Sequence, residues 1–432
     1  MHNPRKEVYW YTKKPLSKTR PLAEHLSADA VVIGGGMAGL AVAERLANAG
    51  KKVIVLEREF CGAGASGRSS GFITQDSELE LIDLIENLGK ERAKRLWEFV
   101  GNSMEIMRSN IKTHSIECDY QEQDYIFIAN DRRGFRKVLR EHNGREILGY
   151  ESYLYDAKTV RGVLGSHDYK GAIRYPGTFA INSYLYAQAM RDVLMKMGVR
   201  IFEGTDVSSI DARGVATADG RRRVNAEYII VCVDKFLPRL KCFKKDVYHV
   251  ETYLTLSKPL HEKDIARLFP SGHLMVTDSD MIYQYYRITG EGRLLLGGGN
   301  YLTTYAYGAS KKPEQIIPKL ARYMKKKFPD VSVEFEYVWP GLLGVSKDLV
   351  PLAGRDRSMP NVYYIAGASG LAWASGLGNY LGEQILNGRD DYDDLFSPYR
   401  TFPFDPIMRV LQHLITTPMA FGLSHAFVKY LR

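Results

Sequence analysis

Residues 28–39 read ADAVVIGGGMAG, and residues 52–57 read KVIVLE. Both apolar runs have the continuous character of strands buried on two faces, as in a parallel sheet. Leu40–Asn48 between them has helical composition and Gly50 stops it, so about 30 residues predict a βαβ unit. Gly34, Gly36 and Gly39, with Met37 and Ala38 among them, spell GxGxxG at the junction of strand and helix. In that pattern the first glycine allows a tight turn, the second lets a pyrophosphate approach the backbone, and the third lets helix and strand pack closely. The pyrophosphate then rests on the helix N-terminus, where unpaired N–H groups and the dipole favour negative charge. Glu57 closes the second strand 18 residues after Gly39. A carboxylate there accepts the ribose hydroxyls of an adenine dinucleotide and disfavours a 2′-phosphate.

Moving outward, Cys61–Gly71 (CGAGASGRSSG) follows the second strand. Its hydroxyls, backbone N–H groups and Arg68 suit the pyrophosphate, ribityl chain and ring edge of a flavin better than they suit a linker. Apolar residues from Ile82 to Ile111 recur at helical spacing and predict one or two long helices. Tyr125–Ala129 reads as a strand, Asn182–Gly198 as a helix, Val207–Val224 as a meander and Tyr228–Val233 as another buried strand. Tyr283–Ile288 and Leu294–Leu296 pair across Gly290-Glu291-Gly292. Asn361–Ala366 is a last apolar strand before a helix that ends at Asn387-Gly388.

The whole chain has 432 residues, 45% hydrophobic and 25% charged, which gives ordinary globular composition and two to three domains. Its net charge of +9 is compatible with an anionic partner but more often reflects only a solvated surface. Cys61, Cys118, Cys232 and Cys242 form no CxxC pair, and no Cys/His set has metal spacing, so we expect no metal and a reducing compartment. The N-terminus has no apolar signal core and no run is clean enough to span a bilayer, so the expected location is cytoplasmic, at most peripheral to a membrane. Residues 402–432 carry an apolar helical stripe and end in Lys429 and Arg432, an end able to dock on anionic lipid or a partner, or to pack on its own fold.

Four blocks carry a resemblance to a known family: Tyr9-Trp10-Tyr11; Gly34–Gly39 with Glu57-Arg58; Gly64–Gly71; and Trp339-Pro340-Gly341 with Asp348, Pro351, Gly354, Tyr364–Gly370 and Gly376–Gly382. The chain is similar to the FAD-dependent oxidoreductases of the D-amino-acid-oxidase superfamily, and within it resembles the gamma-glutamylputrescine oxidoreductase branch. The resemblance implies an α/β (α+β overall) fold, with a Rossmann-like FAD-binding domain of glutathione-reductase type and an inserted antiparallel β-sheet substrate domain. The boundaries it implies are an N-terminal arm at 1–27, an FAD-binding domain at 28–110, 176–240 and 334–395, a substrate domain at 111–175 and 241–333, and an extension at 396–432. By matching position, Gly34, Gly36, Gly39, Glu57 and Arg58 hold the ADP half. Ala65, Ser66, Arg68, Ser69 and Ser70 line the pyrophosphate and the ring edge, and the Val207 backbone meets the adenine. Gly341, Leu342, Ser369, Gly370 and Leu371 border the ring, with Leu371 where many relatives carry histidine.

The implied activity is oxidation of the C–N bond of an amine to an imine by hydride transfer to FAD, then hydrolysis, with O2 or another acceptor taking the electrons. Tyr283 and Tyr285 are the expected pocket and catalytic residues, alternating with Arg287 along one strand face. His249 and His273 read as structural. Competing readings are an amino-acid oxidase of the glycine-oxidase or D-amino-acid type, a nucleic-acid-modifying flavoenzyme and a non-catalytic flavoprotein. The scattered Lys and Arg residues speak against nucleic acid. In amino-acid oxidases of this superfamily an arginine shortly after the Trp-x-Gly step clamps the substrate carboxylate. Leu343 stands there, so the expected substrate is an amine without an α-carboxylate, and Arg287 and Lys347 are the candidates to rebuild a clamp.

Covalent relatives attach the ring through a histidine in the first Gly/Ser loop or a cysteine in the C-terminal block, and this chain has neither. FAD should therefore be non-covalent. Acid precipitation should send all yellow colour to the supernatant, and colour in the pellet would count against it.

Overall fold

The two apolar runs are neighbouring strands. β1 (Leu26–Ile33) and β2 (Val53–Glu57) pair in parallel, with Val31 beside Ile54 and Ile33 beside Leu56, and α1 (Met37–Asn48) makes the crossover. The computed structural model describes residues 4–243, 246–280, 283–301, 315–346 and 348–400. Strands Arg223–Val231 and Val362–Ala366 extend the parallel sheet beyond β1, and Arg200–Glu203 extends it beyond β2. The meander Val207–Asp211/Gly214–Thr217 and the strand Leu352–Arg355 add antiparallel members. Ala30, Val32, Val53 and Val55 face one core, under α1 and the helices Lys90–Thr113, Ser183–Lys196 and Leu371–Asn387. Val31, Ile33, Ile54 and Leu56 face a second core. Burial on both sides is why these strands carry no polar alternation.

The helix Leu371–Asn387 lies against α1 through glycines. A Cβ on Gly378 would stand 2.3 Å from the Ala38 carbonyl oxygen, and one on Gly376 would stand 1.9 Å from Ser103 Oγ. These members of the C-terminal block set helix packing. Asp348 has a similar duty: its carboxylate accepts hydrogen bonds from Ser346 Oγ and Arg400 and fastens the chain that leaves the last helix. Both partners are almost fully buried.

A second eight-stranded sheet runs in the order 335–346, 247–259, 293–301, 285–288, 274–278, 124–129, 171–175, 153–156. All its neighbours are antiparallel except Leu274–Asp278 with Asp124–Ala129, which are parallel, a departure from the all-antiparallel sheet expected. Phe335–Ser346 was grouped with the dinucleotide-binding part, yet it pairs with Val247–Pro259 in this second sheet. Its apolar run gives no local sign of which sheet it joins.

The expected long helices are Leu81–Leu88 and Lys90–Thr113. Sequence reading missed the helix Arg132–Leu148, capped by Asp131 and ended by left-handed Gly149. Its interior Gly144 looks like a breaker but allows close contact: a Cβ there would lie 2.8 Å from the Ile82 nitrogen. No described helix is long and apolar enough to cross a membrane. Residues 402–432 and Lys347 lie outside the described residues.

Candidate active site

The glycine turn is built around close backbone contact. Gly34 adopts φ +106°, and a Cβ on Gly39 would fall 1.9 Å from the Gly34 carbonyl oxygen. Gly36 caps α1, and the Met37 N–H donates to Ser66 Oγ at 3.0 Å, tying this turn to the following loop. The Glu57 carboxylate accepts the Gly35 N–H at 2.7 Å and the Glu59 N–H at 2.8 Å. Burial pushes its pKa up, against the pull of those two N–H groups. Arg58 lies over the Phe236 ring at 4.4 Å, and Val207 begins its strand two residues after Thr205, whose N–H donates to the Glu57 carbonyl. Gly34, Gly36, Met37, Ala38, Gly39, Glu57, Arg58 and Val207 thus gather at the C-terminal edge of β1 and β2.

The next loop is a single helical turn, Ala65–Arg68, followed by Ser69 and Ser70. Three consecutive carbonyls here are each held by a donor from a different part of the chain. Trp339 Nε1 donates to Arg68 O at 3.0 Å, Trp10 Nε1 to Ser69 O at 2.9 Å, and Arg287 Nε to Ser70 O at 2.9 Å. Trp10 sits in the short helix Tyr9–Lys13, whose Tyr11 donates to Ala63 O. The N-terminal aromatic block is therefore a brace for this loop.

A cavity of about 310 Å³ opens beyond it. Ala65, Ser66, Arg68, Ser69, Ser70, Gly341, Leu342, Ser369, Gly370 and Leu371 line it, with Tyr283 and Tyr285. Asp234, a residue missed in the sequence, lies behind the lining and joins two segments that supply it: its carboxylate accepts the Gly344 N–H at 2.6 Å and the Gly367 N–H at 2.9 Å. Tyr283 stands just before the strand Tyr285–Ile288, and Tyr285 hydrogen-bonds Thr252 Oγ1 at 3.2 Å. Both phenols are held neutral: the Glu78 charge and then burial push Tyr283 well up, and burial lifts Tyr285 to about 12.

Arg287 shares their face of the strand but cannot serve as a clamp. It is fully buried, donates to the carbonyls of Ser70, Ile181 and Ile288, and burial depresses its pKa to about 10. Cys61 is fully buried, and burial and then the Glu203 charge keep its thiol neutral. The His249 side chain lies outside the described residues, and His273 is held below its usual pKa by burial alone.

Sequence reading also missed the acidic character of the cavity. Asp76, Glu78, Glu80, Glu141, Asp278 and Asp280 line it, against two basic residues, Arg68 and Lys137. Arg68 donates to Ala63 O and Tyr11, Lys137 to Ser279 O, and Glu141 is paired with Arg145. Asp76 and Glu78 stand two apart in a loop that reads locally as ordinary polar surface.

A glycine turn of this kind, continued by a second braced loop at a cavity roofed by a separate sheet, defines an oxidoreductase built around a flavin dinucleotide. The family model for FAD-dependent oxidoreductases (DAO) matches residues 29–384, and the chain belongs to that FAD-dependent family. The chain is 30% identical over 402 residues to the gamma-glutamylputrescine oxidoreductase of Escherichia coli K12, covering 90% of this chain and 91% of that protein. It is 27% identical to "Probable oxidoreductase OrdL" of Haemophilus influenzae, covering 87% and 86%. Among solved structures, glycine oxidase from Geobacillus kaustophilus superposes with a TM-score of 0.72 at 18% identity, covering 84% of this chain and 96% of that one. L-proline dehydrogenase from P. horikoshii gives a TM-score of 0.71 at 19% identity, covering 85% and 95%. At those identities the likeness concerns the fold.

Trp10→Phe and Trp339→Phe should each leave a buried carbonyl unpaired behind the loop and weaken FAD binding by about 1–3 kcal/mol. Titrating the apoprotein with FAD and following flavin fluorescence measures this. A second expectation concerns pH. Asp278 Oδ1 accepts the N–H groups of Asp280 and Gln284, Oδ2 has no partner among the described residues, and burial raises the carboxyl to about 7. A group raised on folding holds a proton that the unfolded chain has released, so its contribution to stability falls as pH rises from about 4 to 7. Asp278→Asn should remove that fall and be more stable than the parent at pH 8 by about 1–3 kcal/mol, with little difference at pH 4. Denaturant unfolding at the two pH values reads it.

Proposed function

We propose that the chain oxidises the C–N bond of a small-molecule amine that bears no carboxylate on the reacting carbon. FAD, when bound, supplies the chemistry by accepting the hydride from that carbon. The residues fit this cofactor. The Gly34–Gly39 turn leaves no room for side chains beside a pyrophosphate, and the Glu57 carboxylate keeps acceptor capacity for ribose hydroxyls beyond its two backbone bonds. Arg58 and Val207 would flank the adenosine end, while Ala65, Ser66, Arg68, Ser69 and Ser70 would hold the pyrophosphate and one ring edge. Gly341, Leu342, Ser369, Gly370 and Leu371 would border the other edge. Buried Cys61 is no candidate for attachment, which supports non-covalent binding.

One observation carries the substrate class. Where a clamping arginine would stand the cavity presents Leu343, and the carboxylates beside it outnumber the cations. An α-carboxylate seated there would lose its hydration without gaining a partner, at a cost of several kcal/mol. The same lining favours a cationic far end on the substrate over the anionic one compatible with the basic exterior. Tyr283 and Tyr285, neutral and half-buried, would shape the pocket over the reacting carbon and exclude water while the imine forms. O2 or another acceptor then takes the electrons.

Anaerobic stopped-flow with matched pairs, an amine and its α-carboxylated analogue, tests this. The plain amine should bleach the flavin faster at limiting concentration. Faster bleaching by the carboxylated member would assign the chain to the amino-acid oxidases, and bleaching by neither would overturn amine oxidation.

A further inference from the structure

Glu78 occupies the point where the two halves of the cavity meet. Its Oε1 accepts a hydrogen bond from Ser369 Oγ at 2.8 Å, on the loop that opens the helix Leu371–Asn387, and from the Tyr283 hydroxyl at 3.4 Å, on the second sheet. No cation pairs with it among the described residues. Arg68 and Lys137, the basic groups of the lining, are spent on backbone carbonyls. The titratable groups that face it are Asp76 on its own loop, Tyr125 on the strand Asp124–Ala129, and Tyr283 and Tyr285. Among the described residues, Asp76 carries the Thr74 hydroxyl alone as a side-chain hydrogen-bond partner, at 2.8 Å. All of these are acids or phenols. A carboxylate whose only ligands among the described residues are two hydroxyls, at the seam between the predicted ring border and the predicted substrate wall, has no described cation to complete it.

An aliphatic amine reaches the enzyme at neutral pH as an ammonium, since its pKa is near 10. An ammonium has no lone pair with which to form a C=N bond, so a proton must leave before the carbon can lose its hydride. We propose that Glu78 seats the reacting amine as its ammonium and takes that proton. This rests on the amine-oxidation reading above. The nitrogen–hydrogen bond breaks and a carboxyl O–H forms: R–CH2–NH3+ and the Glu78 carboxylate give R–CH2–NH2 and the Glu78 carboxylic acid. The C–H bond then breaks with its electron pair going to FAD, the nitrogen lone pair closes the C=N bond, and water hydrolyses the imine. Asp76, beside Glu78, biases the same space toward cationic over neutral ligands.

The test uses FAD-loaded protein and two probes. tert-Butylamine is an ammonium with no hydrogen on the carbon next to nitrogen, so it binds without reacting, and n-butylamine can be oxidised. Glu78→Gln should keep its FAD and lose tert-butylamine affinity by roughly 10- to 100-fold, the effect of one charge-assisted hydrogen bond. Calorimetry reads this without turnover. With limiting n-butylamine, the flavin-bleaching rate of the parent should stay nearly flat from pH 7 to 9. In Glu78→Gln it should climb about tenfold per pH unit, because only the free neutral amine reacts. Glu78→Asp should restore the flat profile.

Equal tert-butylamine binding and equal pH profiles in parent and Glu78→Gln would overturn the proposal while leaving amine oxidation standing. If Glu78→Gln fails to fold, a tenfold-per-unit slope in the parent itself overturns it. If neither n-butylamine nor other amines bleach the parent, the functional reading falls and this one with it.

Discussion

The cofactor loop is held from behind. Arg68, Ser69 and Ser70 present three successive carbonyls, and Trp339, Trp10 and Arg287 each donate to one of them. A loop rich in glycine and serine pays a large entropy cost to adopt one conformation. Here the conformation is imposed by two indoles and a buried guanidinium that have little freedom of their own, and each would have one N–H left unpaired if the loop moved. The donors come from the N-terminal arm and from two strands of the second sheet. The loop is thus the place where the two sheets and the arm are joined, and the cavity wall inherits its rigidity.

Much of this architecture was legible because it is written in local signals. The runs at 28–33 and 52–57 are apolar because both faces are buried, and the last glycine of GxGxxG is required by contact with the Gly34 carbonyl five residues earlier. Other features are legible only over long range. Phe335–Ser346 could join either sheet on its own pattern, and its pairing with Val247–Pro259 depends on tertiary contact. The helix Arg132–Leu148 was hidden by Gly134 and Gly144, which serve close packing against Ser279 and Ile82. The Tyr9-Trp10-Tyr11 block stood out as a pattern, but its task was invisible because Trp10 acts on a carbonyl 59 residues away. Tyr283 and Tyr285 were placed on one face by strand alternation and at the cavity by the family resemblance of that strand. The same alternation put Arg287 beside them without revealing that its guanidinium is consumed by backbone.

Charge is distributed against the average. The chain carries +9 overall, yet six carboxylates and two basic residues line its cavity. A net charge describes the exterior, where solvent screens it within about 8–10 Å. Inside a narrow, poorly solvated space the local set of ionisable groups governs which ligand is welcome. The overall charge allowed an anionic partner without requiring one, while the cavity lining is predominantly acidic.

The three donors to the loop lie at positions 10, 287 and 339, at sequence separations of 59, 217 and 271 from the carbonyls they hold. A ribosome making this chain completes the βαβ unit early, since β1, α1 and β2 end by residue 57. The loop beyond it stays unbraced on two of its three carbonyls until Arg287 has been made, and on one of them until Trp339 follows. Long-range closure of this kind is the slow step in assembling such a fold. The glycine turn and the two strands that flank it are therefore made long before two of the three donors that fix the loop behind it.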